Sequence, residues 1–443
     1  MNMFTKHRAA LMRRLPDGLI LLSGGREVPR NSDVCYVFRQ NSDFLYLTGI
    51  EEPGFHLLLD PKRRTSVLFI PRIDDKHRVW QGHIPGPAEA RRLYGVPQVR
   101  YADALPAVLK KRRKGYRKCY ADKAAWKTCR PALRGLKSGP SGLSQGLQEL
   151  RAVKTPGEVA LIRQASKISS RAHTAAMRAA RPGMREYEVQ AVFESECRRA
   201  GLRHQAYPSI VAAGTNSAVL HYVRNDAALK SGDLLLIDAG AEARGYAADI
   251  TRTFPVSRRF TRRQRDIYSI VLETQKACIG KARAGVTSAE LHLHSAKLIA
   301  QGLRDLKLMR GNADGLVESG AVRLFYPHGL GHMLGLDVHD PDGGRKRKIS
   351  IPANLPLRFA SRLEPGFVMT VEPGIYFMRA LLGDPKRRRK FRTSIDFARA
   401  DSYLNFGGIR IEDNIVIRRG AAPHNLTAAA KEIAAIEELR RRG

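Results

Sequence analysis

Four carboxylates and one imidazole in this chain of 443 residues sit in contexts that ordinary packing does not explain. Asp238 closes the apolar run LLLIDAG, and Asp249 follows eleven residues later in GYAADITRTF. That is hairpin spacing, so the two carboxylates are expected to face each other across adjacent strands. An aspartate at a strand end more often caps a turn, and the pair alone says little. Glu372 in VMTVEPGIYF and Glu412 in FGGIRIEDNIVI read as lying inside apolar strands, where an unpaired carboxylate is costly to bury. Both need a cation. Between the aspartates and these glutamates runs YPHGLGHMLGLDVHD, with His328, His332 and His339 separated by Gly329, Gly331 and Gly335. Glycines so placed let the backbone approach a neighbour closely. A core histidine satisfied by packing accounts for one of the three imidazoles and not for all.

Together Asp238, Asp249, His332, Glu372 and Glu412 supply four negative charges, which two divalent cations would balance. A donor set rich in oxygen with a single histidine favours manganese or a similar ion over a zinc site built from cysteine and histidine. Two such ions roughly 3.5 to 4 Å apart can acidify a shared water and hold a developing oxyanion, which is the chemistry of hydrolysis. The segment Gly142-Leu143-Ser144-Gln145-Gly146 also matches the G-x-S-x-G pattern of serine hydrolases. It falls in a stretch with neither the preceding strand nor the following helix that this pattern requires, and is set aside.

The elements that must position these residues divide around residues 130–148, at RPALRGLKSGPSGLSQG, whose Gly, Ser and Pro content and missing apolar period mark a linker. Two domains are expected, residues 1–140 and 150–443. In the first, short apolar runs at 18–22, 55–59 and 66–70 alternate with turns and a helical stretch near 88–93, an α/β pattern. In the second, Val159, Ile162, Ala165, Ile168 and Ala176 recur at helical spacing, and Val189, Val192, Phe193 and Cys197 share the face of a second helix. Strands are expected at 233–237, 367–371 and 408–417, and helices at 266–282 and 289–303, making this domain α+β.

Composition excludes several classes. With 43% hydrophobic and 27% charged residues the chain is globular in type. No run approaches the roughly 18 to 20 apolar residues of a membrane span. The basic start MNMFTKHRAALMRRL has no apolar core or cleavage site, so a cytoplasmic location is expected. Five scattered cysteines argue against a disulfide framework. The formal charge of +35 gathers in runs at Lys110–Lys114, Arg345–Lys348 and Lys386–Lys390. These read as solvated loops, with any nucleic-acid binding nonspecific and sensitive to salt.

The contexts LLLIDAG, AADITRTF, HGLGHMLGLDVHD, TVEPGIYF and GGIRIEDN, in that order, resemble the pita-bread metallopeptidases, which include methionine aminopeptidase, aminopeptidase P and prolidase. FRQNSDFLYLTGIEEPG, residues 38–54, is similar to the amino-terminal domain of the proline-specific members. The resemblance implies a duplicated α+β catalytic domain behind a smaller α/β amino-terminal domain, and a centre of two divalent ions, manganese first, with cobalt or zinc as alternatives. It assigns Glu372 as acid–base group as well as ligand, and His328 and His339 to steadying substrate and the tetrahedral intermediate. It assigns His221, Arg358 and Arg410 to substrate binding, His221 on the proline side of the pocket. It also implies an Xaa-Pro peptide substrate and a homodimer.

Within that family a dipeptidase must grip the free carboxylate after proline, a task suited to a planar guanidinium. Arg358, fourteen residues before Glu372, stands where prolidases carry such an arginine. The long insertion between His339 and Glu372 and the string EPGIYFMRALL also look prolidase-like. The sequence reading is therefore an Xaa-Pro dipeptidase first and aminopeptidase P, acting on longer peptides, second. A non-catalytic nucleic-acid-binding member is a minor third, opposed by the presence of all five ligands.

Overall fold

The computed structural model describes residues 2–138, 140–344 and 357–442. The basic run Arg345–Lys348 lies outside the described residues. The chain divides into two compact units, Met1–Arg151 and Ala152–Gly443.

The first unit is built on a six-stranded mixed sheet. Its strand Gly18–Ser23 is buried at every position, which its unbroken apolar sequence GLILLS anticipates for a strand covered on both faces. It pairs antiparallel with His56–Asp60 on one side and parallel with Lys118–Ala121 on the other. Helices such as Pro87–Tyr94 and Leu105–Arg112 carry the chain between strands.

The second half of the expected linker is a helix, Pro140–Ala152. Leu143 and Leu147, four residues apart, are both buried and give it an inward face. Its glycines serve close packing rather than flexibility, since a Cβ on Gly142 would run into the Tyr120 ring. Ser144 lies in this helix, exposed and hydrogen-bonded to Gln148 (3.1 Å), which is no setting for a nucleophile.

In the second unit one order of elements occurs twice: two long helices, then antiparallel strands. Helices Pro156–Ala179 and Glu186–Arg199 precede the sheet of Ile210–Ala213, Leu234–Asp238 and Thr251–Pro255. Helices Arg262–Lys281 and Ser288–Asp305 precede the pairing of Val368–Val371 with Asp413–Val416 and of Gly374–Tyr376 with Gly408–Arg410. Capping boxes start three of these helices, at Thr155/Glu158, Thr261/Gln264 and Thr287/Glu290. Among the described residues no helix is long and apolar enough to cross a membrane.

The two strand sets are tied by a buried cation. The Arg252 side chain, fully buried on Thr251–Pro255, donates to the Glu412 carbonyl (2.7 Å) and pairs with Asp413 (2.7 Å), itself fully buried. Lys431 meets the other Asp413 oxygen at 2.6 Å. Removing one partner would strand a buried charge, a loss of about 3–5 kcal/mol. Asp413→Ala should therefore lower the unfolding free energy by about that amount in urea titrations. A loss under about 1 kcal/mol would show that water or relaxation replaces the pair.

Candidate metal centre

Asp238 ends the strand Leu234–Asp238, where its register partner is Thr251. Asp249 stands two residues before the partner strand Thr251–Pro255 begins, so it lies beside Asp238 instead of opposite it in the ladder. The Tyr207 hydroxyl bridges them, 2.7 Å from Asp238 Oδ1 and 2.5 Å from Asp249 Oδ1. One phenolic proton cannot serve two ionised carboxylates at once. Either a carboxyl proton or a cation must make up the difference.

The glutamates are not inside strands. Glu372 follows Val368–Val371 by one residue, and Glu412 falls in the gap between Gly408–Arg410 and Asp413–Val416. An apolar run in sequence conceals such a break, and the break turns each carboxylate out of the ladder towards the cavity. Glu412 is seated by Thr251, whose hydroxyl donates to Oε2 (2.7 Å) and whose carbonyl accepts the Glu412 N–H (3.1 Å). The histidine segment pairs alongside Val368–Val371, with Thr370 N–H donating to the His332 carbonyl (2.9 Å) and Glu372 N–H to that of Leu330 (2.8 Å). Gly331 permits this approach, because a Cβ there would collide with the Thr370 carbonyl.

His332 Nδ1 lies 3.1 Å from the Met333 carbonyl, which makes it the protonated nitrogen. Nε2 is left with a lone pair, 3.3 Å from Asp249 Oδ2 and 3.6 Å from Glu372 Oε1. Burial pulls the imidazole below its usual range, so it is neutral. A lone pair facing two carboxylates is tolerable with a cation between them, and the ligand atoms of Asp249, His332 and Glu412 all lie within 4.8 Å of one another. Asp238 and Glu372 line the same cavity, of about 450 Å³. The five residues fit a divalent-metal centre.

Burial and then the charge of Glu412 push Glu372 up to about 8. Asp249 and Glu412 are held well above the carboxylate range by burial first and by neighbouring carboxylates, Asp238 and Asp249 respectively, second. Arg410 is a buried cation in their midst, its Nη2 2.5 Å from Asp238 Oδ2, its Nη1 2.8 Å from the Tyr376 hydroxyl and its Nε 3.1 Å from Thr251 Oγ1. Sequence reading places it with substrate, yet three of its nitrogens are engaged by the protein. The Tyr376 hydroxyl in turn donates a hydrogen bond to His328 Nε2 (2.9 Å), and His328 Nδ1 donates to the Gly329 carbonyl (2.8 Å). Burial and Arg410 lower His328 to about 3, keeping it neutral. His339 packs edge-on against His332, ring centroids 4.4 Å apart, and is lowered to about 4 by burial and by His332. His221 and Arg358, both exposed, line the cavity mouth. Tyr207, Tyr376 and Thr251 escape the sequence reading. A tyrosine two residues beyond Pro-Gly in an apolar strand was the one available sign, and for Tyr207 there was none.

With this geometry in view, the comparisons are specific. Residues 160–419 match the profile described as Metallopeptidase family M24. The chain belongs to this family. Residues 4–120 match the aminopeptidase P N-terminal domain. The M24 relatives include the "Xaa-Pro dipeptidase" of Homo sapiens, 34% identical over 94% of this chain and 88% of that protein. They also include the "Probable Xaa-Pro aminopeptidase pepP" of Botryotinia fuckeliana, 37% identical over 96% and 92%. Among solved structures, zinc-substituted E. coli aminopeptidase P with product superposes with a TM-score of 0.85 at 35% identity, covering 99% of this chain and 98% of that one. Aminopeptidase P II from Yersinia pestis gives 0.85 at 33%, covering both chains fully. The M24 pita-bread fold behind an aminopeptidase P-type amino-terminal domain stands as the resemblance implies.

Metal-free protein should reveal the crowded carboxyls through pH. Glu372 keeps its proton to about pH 8 when folded but loses it near 4.5 when unfolded, so stability falls as pH rises through that interval. His328 and His339 act oppositely, titrating near 3 and 4 folded and 6.5 unfolded, and their contribution is complete by pH 6.5. Between pH 6.5 and 8 the melting temperature of chelated protein should thus decline, and added manganese should remove the decline by replacing the protons. A level or rising profile under chelator would contradict the assignment.

Proposed function

We propose that this chain is a dinuclear metallopeptidase that releases the residue preceding proline from the amino end of peptides, as aminopeptidase P does. The observation that carries the reading is the convergence of Asp238, Asp249, His332, Glu372 and Glu412 on one cavity, in a chain that superposes on aminopeptidases P over essentially their whole length. The oxygen-rich donor set favours manganese. Bound ions would acidify the attacking water and hold charge developing on the scissile carbonyl. Glu372 takes the proton of that water and returns it to the proline nitrogen. His339, neutral and exposed, is placed to hydrogen-bond the substrate, with His328 locked behind it by Tyr376. His221 faces the proline side. Arg410 holds Asp238 in place.

One observation favours the dipeptidase instead. Arg358 does line the cavity, where its guanidinium can take a proline carboxylate in two hydrogen bonds, and the human relative bears the dipeptidase name. The names of the other relatives lean to longer peptides.

Two substrates separate the readings: Ala-Pro and a longer Ala-Pro-Xaa peptide, assayed with the manganese-loaded protein. Aminopeptidase P activity predicts preference for the longer peptide and little change on it from Arg358→Ala. A preference for Ala-Pro, with Arg358→Ala lowering kcat/KM on it by roughly tenfold to a few hundredfold, would transfer the assignment to the dipeptidase. Glu372→Gln should abolish turnover of either substrate, and cleavage at near wild-type rate would remove Glu372 from its role.

A further inference from the structure

We infer that Glu186 is a positioning residue for substrate binding, which holds the segment 213–227 so that Leu220, His221 and Val223 present to the cavity. The inference rests on the Xaa-Pro peptidase reading for what the cavity receives.

Glu186 begins the helix Glu186–Arg199, is fully buried, and does not line the cavity. Both its oxygens are occupied by donors from this one segment. Oε1 accepts the Ala213 N–H (2.7 Å) and the Asn216 side-chain amide (3.1 Å). Oε2 accepts the Tyr222 hydroxyl (2.8 Å) and the Ala227 N–H (2.9 Å), while the Glu186 N–H returns a bond to the Ala227 carbonyl (3.0 Å). One carboxylate thereby fixes both ends of the segment and a point beside His221. Asn225 reinforces the far end from its left-handed conformation, φ 52°: it accepts from Val211 N–H (2.9 Å) and donates to the Ser209 carbonyl (2.8 Å) and Gln190 (2.9 Å).

Between these buried roots the tip is open. Val219, His221, Val223 and Arg224 are exposed, and beyond the short turn Gly214–Ala218 the tip has no helix or strand of its own. A side chain on such a tip binds well only if the backbone beneath it is already ordered, because ordering it during binding subtracts from affinity. A carboxylate suits the hub and an amide does not. Glutamine would keep the size but turn an NH2 towards two existing donors, whichever way it flips. The hub touches none of the five ligands, so its loss should act on substrate binding and not on the metals.

The test compares metal-loaded wild type with Glu186→Gln by hydrogen–deuterium exchange, metal content and steady-state kinetics on an Xaa-Pro-Xaa peptide. Exchange should quicken within 213–227 and metal content should hold. KM should rise roughly tenfold while kcat stays within about threefold. Tyr222→Phe, which withdraws a single donor and carries little risk to folding, should shift KM in the same direction by less. Unchanged exchange in 213–227, an unchanged KM in both variants, or a fall in kcat that follows metal loss would overturn the inference. If wild type cleaves no Xaa-Pro peptide, the functional reading fails by itself, and the exchange measurement still decides whether Glu186 orders the segment.

Discussion

Four carboxylates in one cavity repel each other, and much of the second unit around them is arranged so that the repulsion does not expel them. Arg410 supplies a single positive charge among Asp238, Asp249, Glu372 and Glu412, which leaves a deficit that protons or metal ions must fill. The raised carboxyls show what happens when protons fill it. The neutral His332, with its lone pair turned inward, shows which of the two the site is shaped for.

Holding such a site requires backbones that do not yield. The four carboxylates sit at a strand end, within two residues of one or in a strand break, where the ladder on one side is intact, while His332 comes from a loop held against Val368–Val371. Arg252 bonds one strand set to the other through the Glu412 carbonyl, and Thr251 repeats the connection through the Glu412 carboxylate. Tyr207, Thr251 and Arg410 hydrogen-bond the carboxylates directly and Tyr376 braces Arg410 from behind, which is how surrounding residues keep a metal site in shape.

The ligands were legible in sequence because a carboxylate in an apolar run has few innocent explanations, and because glycines beside histidines announce a close backbone approach. The long helices were legible through their apolar period. What stayed hidden depends on contacts between distant residues. Nothing local marks Tyr207 as the bridge between two aspartates, and nothing local separates Arg410, committed to Asp238, from an arginine that waits for substrate. The helix Pro140–Ala152 was hidden for another reason: its glycines resemble flexibility unless the Tyr120 ring that needs the space is known.

The ligands lie far apart along the chain, from Asp238 to Glu412, and come from both strand sets. No early fragment holds more than a part of the set. The first unit, whose sheet joins segments within its own 151 residues, needs none of it. Non-local pairings of this kind form late because the chain entropy of closing long loops must be overcome before any contact is made. A bound cation would find its full ligand set only once both strand sets are in place, and would then act as a latch on a fold already assembled around it.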